Sequence, residues 1–179
     1  MSKKNYRILR KKTLFSEGPI HLVNYRVQTP YGKVLSRQVL EHPGCVVIVP
    51  KAASGKFVLV RQYRFPLAKY LWEFPAGGRE AGESFRAAAK RELMEEIGMR
   101  PGRLRKITAF FPTPGISGEE MHMFLAADLK PAFAQKDEDE EFEVKEFSLS
   151  EIGRMIRQGV IRDGKTVIGF FYLKNPENR

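Results

Sequence analysis

The chain has 179 residues, a length that predicts one domain with at most a small extension. Apolar residues make up 42% and charged residues 29%, which excludes a disordered chain, and the single cysteine, Cys45, excludes a disulfide scaffold. The 31 Lys and Arg residues against 21 Asp and Glu residues give a net charge of +10, which favours an anionic partner such as a nucleotide, a nucleic acid or a phosphorylated metabolite.

The chain begins with a basic stretch and continues with a predicted β-hairpin. Residues 1–12 carry six Lys and Arg side chains and no acid. This end is expected to be frayed or strand-forming, or to be an arm that contacts an anion. Strand-forming residues at 20–28 and 33–40 flank a Thr-Pro-Tyr-Gly turn, and this arrangement predicts the hairpin.

A His-Pro-Gly break at 42–44 separates an N-terminal part, 1–43, from a larger part, 44–179. In the larger part, apolar runs and β-forming residues predict strands at 45–49, 57–63, 70–74, 104–111, 120–128 and 142–147. Helical spacing predicts helices at 85–97 and 148–158, the first of them capped by Ser84 and Gly98. The last apolar segment, 166–173, is expected to be a helix, with a strand as the alternative. The stretch 64–83 is expected to be mostly loop, and the acidic stretch 137–146 a solvated loop that leads into a strand.

The sequence gives no indication of a membrane location. The most apolar run, residues 45–49, is much shorter than the roughly 20 residues that a spanning helix needs. No apolar stretch of signal-peptide type follows the basic start. The chain is therefore expected to be cytoplasmic and to have no membrane partner.

The predicted helix at 85–97 carries three acids on one face. Glu92, Glu95 and Glu96 stand at positions i, i+3 and i+4, opposite the apolar stripe. Like charges at this spacing repel, and a divalent cation such as Mg²⁺ or Mn²⁺, which prefers carboxylate ligands, would remove that cost. The alternative is an ordinary solvated helix face. Glycines before the helix, Gly77 among them, weigh against it because they let the backbone approach a ligand closely.

The residues from Gly77 to Met99 match a known pattern. Gly77, Glu83 and the run Arg-Glu-Leu-Met-Glu-Glu-Ile-Gly-Met at 91–99 meet every specified position of G-x5-E-x7-R-E-U-x-E-E-x-G-U, where U is a bulky aliphatic residue. The chain therefore resembles the Nudix hydrolase family. This resemblance implies an α/β fold, a Nudix α/β/α sandwich with a mixed β-sheet, preceded by an N-terminal β-hairpin subdomain. It also implies Mg²⁺- or Mn²⁺-dependent hydrolysis of a nucleoside diphosphate linked to another moiety.

The same resemblance assigns roles to individual residues. The metal would be bound by Glu92, Glu95, Glu96 and the backbone carbonyl of Ala76. Glu95 is also expected to have a catalytic role. The supporting members of the motif would be Glu83 and Arg91.

Segments that flank the motif resemble the ADP-ribose pyrophosphatase group. They are residues 61–67 (Arg-Gln-Tyr-Arg-Phe-Pro-Leu), 72–77 (Trp-Glu-Phe-Pro-Ala-Gly) and 159–166. Pro114 lies close to the position at which that group carries a proline, in a loop that supplies a glutamate as catalytic base or extra metal ligand. Glu119 matches this glutamate by loop position, and Glu120 is the alternative. In this group the N-terminal hairpin builds a homodimer, so residues 1–43 are expected to form a dimer interface.

Substrate contacts are expected from residues around the motif. Arg64 would hold a phosphate or the terminal ribose, and Glu73 would accept a hydrogen bond from a base or a ribose. Further candidate contacts are Arg61, Arg79 and Gly115. The aromatic side chain that stacks on the base is left open among Tyr25, Tyr31 and Tyr63. His122 is expected to be packed in a strand rather than catalytic.

The favoured function is hydrolysis of ADP-ribose or a related nucleoside diphosphate sugar to a nucleoside monophosphate and a sugar phosphate. One alternative is hydrolysis of RNA 5′ pyrophosphate or of nucleoside triphosphates, which the basic start favours and the flanking loops do not. Nucleic acid is therefore the less favoured partner. A second alternative is a Nudix-like binding module, and the complete set of motif acids weighs against it.

Overall fold

The computed structural model describes residues 5–133, 143–175 and 177. The chain divides into two units. The N-terminal unit consists of Met1–Gly44 together with Phe111–Glu120, and the catalytic-motif unit consists of Cys45–Phe110 and Met121–Arg179.

The N-terminal unit contains an antiparallel sheet of three strands, β1 (Arg7–Glu17), β2 (Ile20–Gln28) and β3 (Val34–Glu41), in the order β1-β2-β3. β2 and β3 form the predicted hairpin. The basic start adds a third strand to it, because residues from Arg7 onward pair with β2 and so satisfy their backbone hydrogen bonds. Every residue of β1 is exposed in this structure.

The segment Phe111–Glu120 is attached to β3, a feature that the sequence did not indicate. The Leu40 N–H donates to the Ile116 carbonyl at 2.8 Å, and the Gly118 N–H donates to the Leu40 carbonyl at 3.1 Å. A loop from late in the chain is therefore part of the N-terminal unit.

The described residues of the catalytic-motif unit form seven strands and three α-helices, besides a 3-10 helix at Phe65–Leu67. They are β4 (Cys45–Pro50), β5 (Phe57–Arg64), β6 (Lys69–Glu73), β7 (Ala76–Gly78), α1 (Phe85–Ile97), β8 (Met99–Phe110), β9 (Met121–Pro131), β10 (Glu143–Phe147), α2 (Leu149–Arg157) and α3 (Gly164–Lys174). One sheet has the order β7-β4-β9-β8 and is mixed, since β4 and β9 are parallel and the other pairs antiparallel. A second, antiparallel sheet has the order β10-β5-β6.

Alternate residues of the mixed sheet enter two hydrophobic cores. Val46 and Ile48 pack with Leu93 of α1, and we call this cluster the α1 core. Val47 and Val49 face the other way and pack with residues of the second sheet, α2 and α3, in what we call the inter-sheet core. Helices thus cover both faces of the mixed sheet, and the expected α/β/α sandwich is confirmed.

Helix α1 has the predicted bounds because its caps are local. The Ser84 hydroxyl accepts a hydrogen bond from the Ala87 N–H at 3.1 Å, and Gly98 ends the helix with a φ of 68°, which favours glycine. Helix α3 also forms where the sequence predicted a helix.

Two details differ from the predicted elements. Residues 76–78, expected to be loop, form the short strand β7. Strand β8 begins at Met99 and contains Pro101, which an edge strand tolerates. Residues 137–142 of the acidic stretch lie outside the described part of the chain, and β10 follows them. No helix among the described residues is long and apolar enough to cross a membrane.

Candidate active site

The three predicted acids of α1 lie against the β7 strand and around one arginine. Arg91 Nη1 donates to Glu92 Oε1 at 2.8 Å and to Glu95 Oε2 at 2.9 Å. Glu96 Oε1 accepts a hydrogen bond from the Ala76 N–H at 3.0 Å, and its side chain is almost fully buried. The structure therefore brings together Ala76, Glu92, Glu95 and Glu96, which the sequence predicted as one site.

Arg91 links this cluster to the loop that precedes α1. Its Nε and Nη2 atoms donate to the two carboxylate oxygens of Glu83, each at 3.2 Å, and Nη2 also donates to the Gly78 carbonyl at 2.8 Å. Burial disfavours the charged form of Arg91, but the hydrogen bonds to Glu83 and the charge of Glu92 raise its pKa above the usual value. Burial likewise opposes ionisation of Glu83, yet the Arg91 hydrogen bond holds the pKa of Glu83 below its usual value. The guanidinium is thus permanently charged and fixes the acids in place.

Gly77 lies directly beside the carboxylate of Glu92. A Cβ atom on Gly77 would lie 2.1 Å from the Glu92 carboxylate carbon, whereas one on Gly78 would meet nothing within 4 Å. The carboxylate of Glu92 therefore occupies space that only glycine leaves open.

The donor set of this cluster fits a divalent cation. Glu83, Glu92 and Glu95 all accept hydrogen bonds from the Arg91 guanidinium, and Glu96 follows Glu92 and Glu95 on one face of α1. Carboxylate oxygens are the ligands that Mg²⁺ and Mn²⁺ prefer. Because Gly77 has no side chain, the carboxylate oxygens of Glu92 lie next to the β7 backbone.

A second ionic cluster is centred on Glu73 at the end of β6. Arg64 donates from Nε and Nη2 to the two Glu73 oxygens at 2.9 and 2.7 Å, and Lys165 Nζ donates to Glu73 Oε2 at 2.9 Å. Glu73 is 1% exposed, whereas the Arg64 side chain is 34% exposed. Both Glu73 oxygens therefore accept hydrogen bonds within the protein, from a position that solvent barely reaches.

Lys165 and its neighbours are functional candidates that the sequence did not single out. Lys165 also donates to Asp163 at 2.6 Å, and the Asp163 side chain caps α3 by accepting from the Thr166 N–H at 2.9 Å. The resemblance of residues 159–166 to the ADP-ribose pyrophosphatase group was the available signal, but it assigned no role to Lys165.

We expect the Glu73 cluster to make stability depend on pH. Burial raises the pKa of Glu73, but the hydrogen bond from Arg64 and the charge of Lys165 outweigh it, so the folded-state pKa lies below the ordinary 4.5. Its contribution is therefore complete above pH 4.5 and is lost as the pH falls through the folded-state pKa. In urea unfolding, Glu73→Gln should cost about 3 kcal/mol at pH 7, because Arg64 and the largely buried Lys165 both lose the charged acceptor that they share.

The difference between the wild type and Glu73→Gln should shrink as the pH falls below 4.5. A control is Glu143→Gln, which removes an exposed carboxylate from an ion pair with Arg61. It should change the free energy of unfolding by less than about 1 kcal/mol. A Glu73 variant as stable as this control at pH 7 would contradict the prediction.

The other predicted substrate contacts in this unit are Arg61, inside β5, and Arg79, which directly follows β7. Arg61 donates to Glu143 at 3.2 Å and lies over the Tyr70 ring, 5.0 Å from its centroid. Arg79 donates to the Glu83 carbonyl at 3.0 Å and lies 4.9 Å from the centroid of the Phe85 ring. The sequence placed both arginines near the motif, and Arg79 is bonded directly to a motif residue.

The histidine and the candidate aromatics also have defined surroundings. His122 stacks on Phe85 with ring centroids 3.6 Å apart, as a packed histidine would. Tyr63 contacts the rings of Phe65 and Tyr70. In the N-terminal unit, Tyr31 is 91% exposed and the Tyr25 hydroxyl donates to Glu41.

The candidate bases belong to the N-terminal unit. Gly115, Glu119 and Glu120 lie in the segment Phe111–Glu120, and the Glu119 N–H donates to the Ser117 hydroxyl at 3.1 Å. They are thus held by the same segment that β3 anchors through Leu40.

The fold is a mixed sheet covered by helices, and its site is rich in carboxylates and suited to a divalent cation. Together these features indicate the class of protein to which the chain belongs. Residues 41–168 match the model of the NUDIX domain, and the chain belongs to the Nudix family. The family assignment made from the motif is confirmed.

Two known proteins similar to the chain are named as pyrophosphatases, and a third, from Bacillus methanolicus, is 35% identical over 173 residues and is named a methanol dehydrogenase activator. The chain is 36% identical over 173 residues to an ADP-ribose pyrophosphatase of Bacillus subtilis (strain 168), covering 96% of this chain and 94% of that protein. It is 31% identical over 173 residues to a GDP-mannose pyrophosphatase of Escherichia coli O1:K1, covering 87% of each. With the family match, the two pyrophosphatase names indicate a hydrolase that acts on phosphoanhydride bonds.

A solved structure supports the fold. The crystal structure of an ADP compounds hydrolase superposes with a TM-score of 0.84 at 22% identity, covering 97% of this chain and 95% of that one. At this identity the likeness bears on the fold alone.

Proposed function

We propose that the chain hydrolyses the pyrophosphate bond of ADP-ribose or a related nucleoside diphosphate sugar. Water adds across the P–O–P linkage and gives a nucleoside monophosphate and a sugar phosphate. The observation that carries this proposal is the cluster of Glu92, Glu95 and Glu96 against the Ala76–Gly78 strand. The names of the two relatives support the substrate class.

The residues that would hold the cation are Glu92, Glu95, Glu96 and the carbonyl of Ala76. We propose Mg²⁺ as this cation, with Mn²⁺ as the alternative. When bound, such a cation neutralises phosphate oxygens and lowers the pKa of water. The chain itself orients the acids through Arg91 and the Ala76 N–H, so that their oxygens are preorganised on one helix face.

Arg64 is the proposed phosphate contact, and Glu73 is its positioning partner. The two hydrogen bonds from Arg64 to Glu73 fix the plane of the guanidinium, while a third of the side chain stays exposed to solvent. A guanidinium with a fixed orientation suits a diphosphate, which it can bind through paired donors. Arg61, Arg79 and Gly115 are proposed as further contacts.

The general base is proposed to be Glu119 or Glu120, whose carboxylate would accept the proton of the attacking water. Substitution of each by glutamine distinguishes them, since general base catalysis contributes about 100-fold or more. We expect one of Glu119→Gln and Glu120→Gln to lower turnover by that factor and the other to change it little. Equal, near-normal turnover in both variants would remove this loop from the catalytic machinery.

The experiment that tests the proposed function is a product-release assay with Mg²⁺, coupled to a phosphatase that acts only on the products. The panel contains ADP-ribose, ADP-glucose, GDP-mannose, UDP-glucose, GTP and a triphosphorylated RNA oligomer. Preference for ADP-ribose or for several sugar nucleotides supports the proposal. Activity on RNA or GTP alone would overturn it.

Hydrolysis of RNA 5′ ends is a second candidate, and the exposed basic strand β1 favours it. Arg7, Arg10 and Lys12 are exposed on this strand. Charge removal by Arg10→Gln with Lys12→Gln distinguishes the candidates, since it preserves the strand better than deletion does. Selective loss of RNA turnover would support the second candidate, and equal turnover of RNA in the variant would count against it.

The N-terminal sheet is proposed to form a homodimer. Ile8, Leu9, Leu14 and Phe15 of β1 are 62%, 44%, 48% and 47% exposed, and apolar side chains grouped in this way are typical of an interface. A cytoplasmic location is proposed on the ground that Cys45 is the only cysteine.

We expect Leu14→Asp with Phe15→Asp to lower the molar mass measured by light scattering from a dimer to a monomer. An unpaired charge that becomes buried at an interface loses its hydration, and this free-energy cost destabilises the dimer. Tyr31→Asp is the matched control, since Tyr31 lies exposed in the turn between β2 and β3, and it should leave the mass unchanged. A monomeric wild type would refute the proposed dimer.

A further inference from the structure

On three strands of the mixed sheet, the row of residues that faces the inter-sheet core continues into cations or a small residue. In β4, Val47 and Val49 belong to the inter-sheet core, and the residue that continues their row is Lys51. In β9 the row runs through Met123 and Leu125 to Ala127. Lys51 is half-buried, so its ammonium group lies at the edge of the core, where solvent still reaches it.

The neighbouring strand β8 adds two arginines to the same face. Arg105 pairs with Leu125 and Arg103 pairs with Ala127 in the β8–β9 register, so their side chains stand beside the row of β9. Lys51 is held next to them, because its N–H donates to the Ala126 carbonyl at 2.8 Å.

These residues line a pocket of about 190 Å³. Its lining consists of Lys51, Arg103, Arg105, Leu125 and Ala127. The floor is apolar and small, and the rim carries three positive charges. We call this feature the β8 pocket.

One of the rim arginines is held in place by an ion pair. Asp128 accepts from Arg103 Nε at 2.5 Å and from Arg103 Nη2 at 3.3 Å. Asp128 has a φ of 54°, an uncommon conformation for a residue other than glycine. The facing residue is Gly102, and a Cβ there would lie 2.9 Å from the Asp128 Cβ. The local backbone thus accommodates an aspartate that orients Arg103.

The β8 pocket is separate from the acid cluster. In β4, Val46 pairs with Gly77 beside the acids, whereas Lys51 follows the opposite end of the strand. Five residues of extended chain span about 16 Å. A ligand in the pocket would therefore not contact the residues proposed for hydrolysis.

We propose that the β8 pocket is a second anion site that binds a phosphate group, either free phosphate or the phosphate of a small ester. Arginine and lysine donors around one small cavity suit the tetrahedral oxygens of a phosphate. The apolar floor of Leu125 and Ala127 leaves room for the carbon atoms of a small ester. This inference is independent of the proposed hydrolytic function.

The test is a titration of the isotope-labelled full chain, followed through its backbone amide resonances with EDTA present. The probes are inorganic phosphate and ribose 5-phosphate, with ribose as the uncharged control. The amides of Lys51 and Ala127 report on the β8 pocket and that of Gly77 on the acid cluster, so binding at the two places is distinguished. We expect saturable shifts at Lys51 and Ala127 with both phosphates and none with ribose.

Two variants and a matched control assign the binding to the pocket. Arg105→Gln and Lys51→Gln should each weaken phosphate binding about tenfold, because each removes a charge-assisted donor. Lys106→Gln removes the same charge from the adjacent residue, which pairs with Phe124 of the α1 core and lies on the other face, and should weaken it by less than about twofold. Amide spectra without ligand show whether each variant is folded, and Arg105→Lys provides a variant that keeps the charge.

The comparison of probes identifies the occupant. Tighter binding of ribose 5-phosphate supports a small ester, and equal binding supports the phosphate group alone. The proposal is overturned if Lys51 and Ala127 show no saturable shift, or if Arg105→Gln and Lys106→Gln weaken binding equally.

Discussion

Replacing Glu96 by glutamine is expected to lower turnover by at least about 100-fold while the fold stays intact. Glutamine has nearly the same volume and keeps an oxygen that can accept the hydrogen bond from the Ala76 N–H, so the side chain can stay in its buried position. What the variant loses is the negative charge that a divalent cation needs from its ligand. Steady-state turnover of ADP-ribose under saturating Mg²⁺ is the measurement, with thermal unfolding as the check on folding.

The matched control for Glu96→Gln is Glu80→Gln. Glu80 lies in the same region, with a carboxylate oxygen 3.8 Å from Arg91 Nε, but its side chain is 69% exposed. The same chemical change there should leave turnover within about twofold, because an exposed ion pair contributes little. If Glu96→Gln retained the turnover of the Glu80 control, Glu96 would not be a metal ligand.

Gly77→Ala should be almost as damaging, although it adds only a methyl group. The new Cβ would lie 2.1 Å from the Glu92 carboxylate, so either Glu92 or the β7 backbone must move. A misplacement of about 1 Å in catalytic geometry lowers the rate by about 100-fold, and we expect a loss of that size in turnover. The affinity for Mg²⁺, followed by calorimetry, should fall as well.

Gly78→Ala tests whether this loss comes from contact with Glu92. Gly78 is the next residue in β7, and a Cβ there would meet nothing within 4 Å. We therefore expect Gly78→Ala to keep turnover within a few fold of the wild type. Equal losses in both variants would mean that the strand, rather than the space occupied by Glu92, limits activity.

Local signals were sufficient to predict α1 and its acidic face. Ser84 and Gly98 mark the ends of the helix, and the spacing of Glu92, Glu95 and Glu96 places them on one side of it. The sequence also predicted that the backbone at Gly77 can be approached closely, because glycine has no side chain. The contact between Glu96 and the Ala76 N–H spans 20 residues, and only the folded chain shows it.

Long-range pairing explains what the sequence did not predict. Lys165 meets Glu73 across 92 residues, and no local pattern links the two. Glu73 is predicted to be an acceptor for substrate, and the structure adds that its oxygens accept hydrogen bonds from Arg64 and Lys165. Strand β7 was not predicted because three residues are too few to show the alternation of apolar and polar side chains that is typical of a strand. It forms only because it pairs with β4.

The pairing between β3 and the loop at 111–120 has a consequence for protein engineering. The family model begins at residue 41, one position after Leu40, which both donates to Ile116 and accepts from Gly118. A chain trimmed to the family boundaries would therefore lose both hydrogen bonds and release the loop that carries Glu119 and Glu120. Any minimal active fragment or chimera should retain the whole β-sheet of residues 7–41.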